Sequence, residues 1–178
     1  MKSLLIPLML ISSLFLSGCG EDPEKEAFRQ QLMEKALNDK TSKAGSAFLE
    51  QNLKREGVHI LPSGVQYEIL QEGEGKQPTF KSSVEVHYEG RGVDGVVFDS
   101  SYERGKPSVF PLEKVIKGWQ EGLLQMQQGA IWMLYIPAKF AYGATSPNEL
   151  IPANSTLIFK VELLDILERS EMDNEQKK

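Results

Sequence analysis

The sequence predicts an α+β domain, an antiparallel sheet with one short helix against its concave face, preceded by an N-terminal helical arm. Two observations carry this expectation. Apolar residues recur about every four positions up to Arg55 and every second position from Ser63 onward, and these are the periods of a helix face and of a half-buried strand. Among the strand-like runs, only Val115 to Met126 breaks the alternation in a way that suits a helix, and its Gly and Trp content suits a short one. A chain of 178 residues accommodates one such domain, with length to spare at its ends.

The spare length at the start has its own pattern. Met1-Lys2 is a short positive start and Leu4 to Leu16 is almost entirely apolar, the layout of a signal peptide that is removed. The run is shorter than the ~20 apolar residues a bilayer span needs. Leu16-Ser17-Gly18-Cys19 resembles the lipobox of bacterial lipoproteins. That resemblance implies loss of residues 1–18 and diacylglycerol on the thiol of Cys19, so that the chain meets the membrane through lipid, each buried methylene contributing ~0.8 kcal/mol. Cys19 is the single cysteine, so the mature chain has no internal disulfide. Gly20 stands where an aspartate would favour inner-membrane retention in enteric-type bacteria, which implies the outer membrane, facing the periplasm. With 20 basic and 25 acidic residues, the chain offers no electrostatic reason to bind nucleic acid.

Residues 19–57 form the lipidated start and the arm. Phe28, Leu32 and Ala36 recur at helical spacing with Met33 and Leu37 beside them, and a second series runs through Ala44, Ala47, Phe48, Leu49 and Leu53. One bent helix or two helices fit equally, with the polar stretch 38–42 between the series. Gly57 supplies a stop and Pro62 prevents resumption. An amphipathic stripe has to be covered, either by the following domain, which makes the arm a spacer, or by a second copy, which makes a homodimer through residues 24–57.

The domain proper is expected over 58–167. Val65, Tyr67 and Ile69 alternate with polar neighbours, as do Val84, Val86 and Tyr88, and further strands are expected at Val96 to Asp99, Val109-Phe110, Ile131 to Ile136 and Thr156 to Ile166. Residues 168–178 are a polar tail.

Several chemistries find no support. His59 and His87 are the only histidines, so no metal-ligand set accompanies the lone thiol, and no metal or other cofactor is expected. His87, between Val86 and Tyr88, is expected on the face opposite the core. There is no Gly-x-Ser-x-Gly elbow, Ser100-Ser101 has no evident histidine partner, and Gly73-Glu74-Gly75 lacks the third glycine of a dinucleotide fingerprint. What remains is a concentration of aromatics around one acid: Tyr88, Phe98-Asp99, Phe110, Trp119, Tyr142 and Phe159. Taken singly, Trp119, Tyr88 and Phe159 read as core residues, Asp99 as a turn former and Tyr142 as a loop anchor.

Taken together they read differently. Val86-His87-Tyr88-Glu89-Gly90, Val97-Phe98-Asp99-Ser100-Ser101, Val115-Ile116-Lys117-Gly118-Trp119, Ala141-Tyr142-Gly143-Ala144 and Ile151-Pro152-Ala153-Asn154 resemble, in order and spacing, the signatures of FKBP-type peptidyl-prolyl isomerases. The similarity covers about Ser63 to Leu167. It implies a strongly curved antiparallel sheet wrapped around a short helix, with an apolar pocket between them. Tyr88, Phe98 and Phe110 would form the walls, Trp119 the floor, and Val115, Ile116 and Phe159 the remaining lining. Asp99 and Tyr142 would be the catalytic polar groups, with the Ile116 N–H and the Tyr142 hydroxyl taking substrate carbonyls.

The implied substrates are proline-containing unfolded or nascent envelope polypeptides, and macrolides are the implied inhibitors. Gly57-Val58 and the run Leu61-Pro62-Ser63-Gly64-Val65-Gln66-Tyr67 resemble the junction of the Mip-like and FkpA-like envelope isomerases, whose helical arms dimerise and assist folding. The arm here is shorter than theirs. Ser108, Phe140 and Pro147 depart from the common pattern at the pocket rim. Besides an isomerase, a chaperone that grips unfolded chains with incidental isomerase activity is an alternative, and a purely structural tether is a third reading that the complete aromatic set disfavours.

Overall fold

Alternating apolar and polar residues build one antiparallel sheet from β1 (Val58–Ile60), β2 (Gln66–Gln71), β3 (Ser83–Gly92), β4 (Val97–Ser100), β5 (Ser108–Pro111), β6 (Ile131–Ile136) and β7 (Leu157–Leu167). The strand order is β1-β2-β6-β7-β3-β4, with β5 also paired to β3. The computed structural model describes residues 39–167, together with residues 24, 25, 28, 29, 31 and 32. The proposed signal peptide, Cys19 and the polar tail lie outside the described residues.

Register decides which side chains face inward. Leu134 pairs with Phe159 and Trp132 with Val161, Val161 in turn with Tyr88 and Leu163 with Val86, and Val84 with Phe110. Directly opposed residues of an antiparallel pair share a face, so this set forms one apolar surface. The helix α2 (Lys117–Leu123) lies against it, burying Trp119 and Leu123. Its glycines explain the close approach. A Cβ on Gly118 would lie 2.3 Å from Ile136 Cγ2, and one on Gly122 2.7 Å from Leu134 Cδ2.

The opposite face of the sheet is covered at one end by α1 (Lys40–Asn52). The stripe that docks differs from the apolar series read in the sequence. Gly45 and Asn52 are its buried members and Phe48 and Leu49 are half-buried, whereas Ala44, Ala47 and Leu53 face outward. Gly45 fits because a Cβ there would lie 2.4 Å from Thr156 Oγ1. Phe48 meets Tyr135 with ring centroids 6.0 Å apart.

Asn52 Nδ2 donates to Gln66 Oε1 at 2.9 Å, and Gln66 Nε2 donates to the Leu49 carbonyl at 2.9 Å. Arg55 then bridges Asn52 Oδ1 at 2.8 Å, the Tyr135 hydroxyl at 2.9 Å and Glu68 Oε2 at 2.8 Å. The second half of the arm is thereby part of the domain. Residues 24, 25, 28, 29, 31 and 32 have helical backbone, with Phe28 and Leu32 exposed.

This docking makes an inverted prediction at Gly45. Gly→Ala in a helix interior normally stabilises by about 1 kcal/mol, but Gly45→Ala is expected to lower the midpoint of thermal unfolding because its methyl displaces Thr156. Asn52→Ala, which strips the buried Gln66 amide of its donor, is expected to cost about 1–3 kcal/mol. Thermal unfolding of the first variant and denaturant unfolding of the second measure these effects.

Candidate functional site

The cavity between α2 and the sheet is built on Trp119. The indole lies almost fully buried and meets three rings edge to face: Tyr88 at 5.2 Å, Phe110 at 5.6 Å and Phe159 at 5.3 Å between centroids. Phe98 continues the wall by meeting Phe159 at 5.6 Å. Each such pair is worth about 0.5–1.5 kcal/mol beyond its burial, so the walls hold one another upright. Gly90 leaves the room they need, since a Cβ there would lie 2.6 Å from both Phe98 and Phe159.

The resulting cavity measures about 380 Å³ and is lined by Tyr88, Phe98, Asp99, Phe110, Val115, Ile116, Trp119, Tyr142 and Phe159, joined by Lys114, Asn148 and Ile151. All nine residues singled out in the sequence around the pocket therefore reach one space. Phe98 and Asp99 both reach it although they are neighbours in a strand, because β4 is an edge strand whose register against β3 shifts between Gly90 and Arg91.

Asp99 is not a free carboxylate. Its Oδ2 accepts the hydroxyl proton of Tyr88 and its Oδ1 accepts from Arg104 Nη1. Arg104 Nη2 closes the triangle on the Tyr88 hydroxyl at 2.9 Å and reaches Ser108 Oγ at 3.2 Å, with its guanidinium 5.4 Å from the Tyr88 ring centroid. Burial pushes the Tyr88 phenol above its usual range, the hydrogen bond to Asp99 adds to the rise, and Arg104 opposes it. Arg104 itself is raised, chiefly by its bond to Asp99.

Two backbone features place the other polar groups. Ile116 is the residue before α2, in extended conformation, and its carbonyl accepts the first helical N–H groups, from Trp119 at 3.0 Å and Gln120 at 3.2 Å. Its own N–H has no acceptor among the described residues. Tyr142 sits in a loop pinned by the Gly143 N–H on the Ala138 carbonyl at 2.9 Å and by the Asn154 N–H on the Gly143 carbonyl at 2.7 Å. Gly143 takes φ 57° there, and the Tyr142 side chain is about two-fifths exposed (41%) at the mouth.

His87 corrects one reading of the sequence. Ser101 does have a histidine partner, since His87 Nδ1 lies 2.9 Å from Ser101 Oγ. The serine is fully buried, and its oxygen accepts the Tyr88 N–H at 2.7 Å. It anchors the backbone of Tyr88 and presents no nucleophile to solvent.

Sequence reading missed Arg104, Lys114, Asn148 and Ile151. Arg104 lies five residues after Asp99 in a polar turn, where nothing in the sequence separates a partner of the acid from an ordinary surface arginine. Lys114 adjoins Val115, and Ile151 opens one of the signature runs, so proximity to named residues was the available signal.

An apolar cavity with aromatic walls and unpartnered donors beside it suits a largely apolar ligand that carries hydrogen-bond acceptors. Residues 74–164 match the family model described as FKBP-type peptidyl-prolyl cis-trans isomerase, and residues 22–69 match that of the domain amino terminal to FKBP-type peptidyl-prolyl isomerase. The chain belongs to the FKBP-type peptidyl-prolyl cis-trans isomerase family. It is 51% identical over 120 residues to the peptidyl-prolyl cis-trans isomerase Mip of Coxiella burnetii, covering 67% of this chain and 52% of that protein. It is 41% identical over 145 residues to the outer membrane protein MIP of Legionella longbeachae, covering 78% of this chain and 62% of that protein. The crystal structure of FkpA from Escherichia coli superposes with a TM-score of 0.71 at 37% identity, over 81% of this chain and 66% of that one. The chain thus spans between 52% and 60% of the length of the first curated relatives it matches.

Tyr88 is expected to keep its proton above the ordinary tyrosine value of about 10. Because the folded value is the raised one, the stability Tyr88 contributes is complete below about pH 10 and is lost as pH rises through the folded value. Ring-carbon NMR titration of labelled tyrosine measures this. In Arg104→Met, which removes the opposing guanidinium, the same resonance should titrate later still.

Proposed function

We propose that the chain accelerates cis–trans isomerisation of the peptide bond preceding proline in unfolded polypeptides of the cell envelope. The observation that carries this reading is the convergence of nine residues on one apolar cavity whose open polar groups include two hydrogen-bond donors, the Ile116 N–H and the Tyr142 hydroxyl. Rotation about the bond is opposed by amide resonance, a barrier of ~18–20 kcal/mol that gives relaxation in ~10–100 s without a catalyst. A twisted amide has lost much of the charge separation between its oxygen and nitrogen. A dry aromatic surround therefore favours it over the planar ground state, which is binding selective for the transition state.

The proline ring would rest on Trp119 between Tyr88, Phe98 and Phe110, with Val115, Ile116 and Phe159 completing the contact. The Ile116 N–H and Tyr142 hydroxyl would hold flanking carbonyls while the bond between them turns. Asp99, fixed by Tyr88 and Arg104, would set the orientation of the Tyr88 wall and lend its field to the rotating carbonyl. No nucleophile or general acid is needed.

The test is kcat/KM on a short Leu-Pro peptide. The chain should accelerate isomerisation, and competition by a macrolide should abolish the gain. Tyr142→Phe is expected to lose about twofold to tenfold, the worth of one hydrogen bond, and Asp99→Leu should lose at least as much. Absence of any acceleration by the unaltered chain would overturn the reading.

The similarity to a protein named for the outer membrane supports an envelope location. The finer reading is a mature chain beginning at lipidated Cys19 and held on the outer membrane, facing the periplasm. Since α1 is covered by its own domain, self-association would fall to the stretch around Phe28 and Leu32, both exposed. The mass of the mature amino terminus should include acyl chains, and sedimentation of a Cys19→Ser chain should show a dimer that Leu32→Glu dissolves.

A further inference from the structure

The cavity carries a charge that the proposed reaction does not use. Lys114 ends the single helical turn Leu112–Lys114 that leads into Val115 and Ile116, and among the described residues it and Asp99 are the two charged ones that line the cavity. The two differ in what remains of their charge. The Asp99 carboxylate is taken up by Tyr88 and Arg104, whereas Lys114 makes no ion pair with any described residue. Glu113 and Glu149, near in sequence to the lining residues, do not line the cavity.

Asn148 adds to the same bias. Its Oδ1 accepts the N–H groups of Leu150 at 2.9 Å and Ile151 at 3.1 Å, which leaves the amide Nδ2, a donor, as the open group of a residue that lines the cavity. The groups left open around the cavity are the Ile116 N–H, the Asn148 amide, the Tyr142 hydroxyl and the Lys114 ammonium. Backbone carbonyls of a peptide satisfy the first three. The Lys114 ammonium, exposed and carrying a full positive charge, donates to carbonyls as well, but of the groups a peptide offers it attracts a carboxylate most strongly.

We propose that Lys114 is a specificity residue, selecting prolyl segments that carry a carboxylate on a residue adjoining the proline and disfavouring those with a basic residue there. The inference rests on the isomerase reading for its substrate class, peptides that contain proline. Asn148 assists by donating to the same carboxylate or to its backbone. The size of the preference follows from the exposure of Lys114. An exposed ion pair contributes little, equivalent to about 1.4-fold to fivefold, and added salt shrinks it as the Debye length falls from about 10 Å at 0.1 M to about 3 Å at 1 M.

The experiment compares peptides of one length with Glu, Gln or Lys immediately before proline, and a second set with the same residues immediately after it. Each is measured by kcat/KM and, independently, by the change in tryptophan fluorescence on binding, since Trp119 floors the cavity. The unaltered chain should favour Glu over Gln over Lys in at least one set, by about 1.4-fold to fivefold per step, with the order flattened at high salt. Lys114→Glu should reverse the order in that set. Equal Glu-to-Gln ratios in the unaltered chain, or ratios that Lys114→Glu leaves as they were, would overturn the proposal. If no peptide turns over yet the binding ratios follow the expected order and reversal, the isomerase reading fails and the selectivity of Lys114 stands.

Discussion

The site depends on how deeply α2 sits against the sheet. Gly118 and Gly122, one helical turn apart, press bare backbone onto Ile136 and Leu134. Between them Trp119 projects toward Tyr88, Phe110 and Phe159. A side chain at either glycine position would have to displace Ile136 or Leu134 or lift the helix, and a close-packed interior tolerates neither without strain. The indole would then leave its edge-to-face contacts, and the floor of the cavity would move away from its walls. The same approach sets the start of α2, where Ile116, whose N–H has no acceptor among the described residues, lines the cavity.

Once the floor is fixed, the polar groups follow from it. Tyr88 touches Trp119 with its ring and Asp99 with its hydroxyl, so the apolar and polar parts of the site share one side chain. Ser101 holds the Tyr88 backbone from behind, and Arg104 holds its hydroxyl and Asp99 from the solvent side. A carboxylate beside an aromatic pocket would ordinarily favour water over its neighbours. Here two donors satisfy it in place, which lets an anion stand at the edge of an apolar cavity without flooding it.

The strands and the cavity residues were legible in the sequence because each depended on a periodic or local signal. Alternation placed Val84, Val86 and Tyr88 on one face, and ordered runs of residues singled out Asp99, Trp119 and Tyr142. The arm was legible as a helix but its docking face was not. Hydrophobicity pointed to Ala44, Ala47, Phe48, Leu49 and Leu53; of these Phe48 and Leu49 dock, whereas the buried members of the stripe are Gly45 and Asn52. Those positions are chosen by what lies opposite, Thr156 for the glycine and Gln66 for the asparagine, and a partner more than a dozen residues away leaves no local trace. Arg104 was hidden for a different reason: it lies only five residues after Asp99, in a polar turn where a partner of the acid looks like any surface arginine. The Ser101–His87 pair shows the converse error, since nothing in the spacing of a serine and a histidine reveals a cross-strand hydrogen bond.

Both helices meet β6, and this ties the arm to the cavity. β6 gives Leu134 and Ile136 to α2 on one face and Tyr135 to the arm on the other, where Phe48 and Arg55 engage it. Its neighbour β2 is also held on both faces, with Tyr67 stacked on Trp132 at 4.6 Å on the core side and Gln66 and Glu68 bonded to the arm on the other. A strand held on both faces has little freedom to twist, so the floor of the cavity is supported from behind by the segment that leads toward the amino terminus. A chain tethered through that terminus would transmit the orientation of its arm directly to the domain. The last turn of the arm is therefore part of the binding site's foundation.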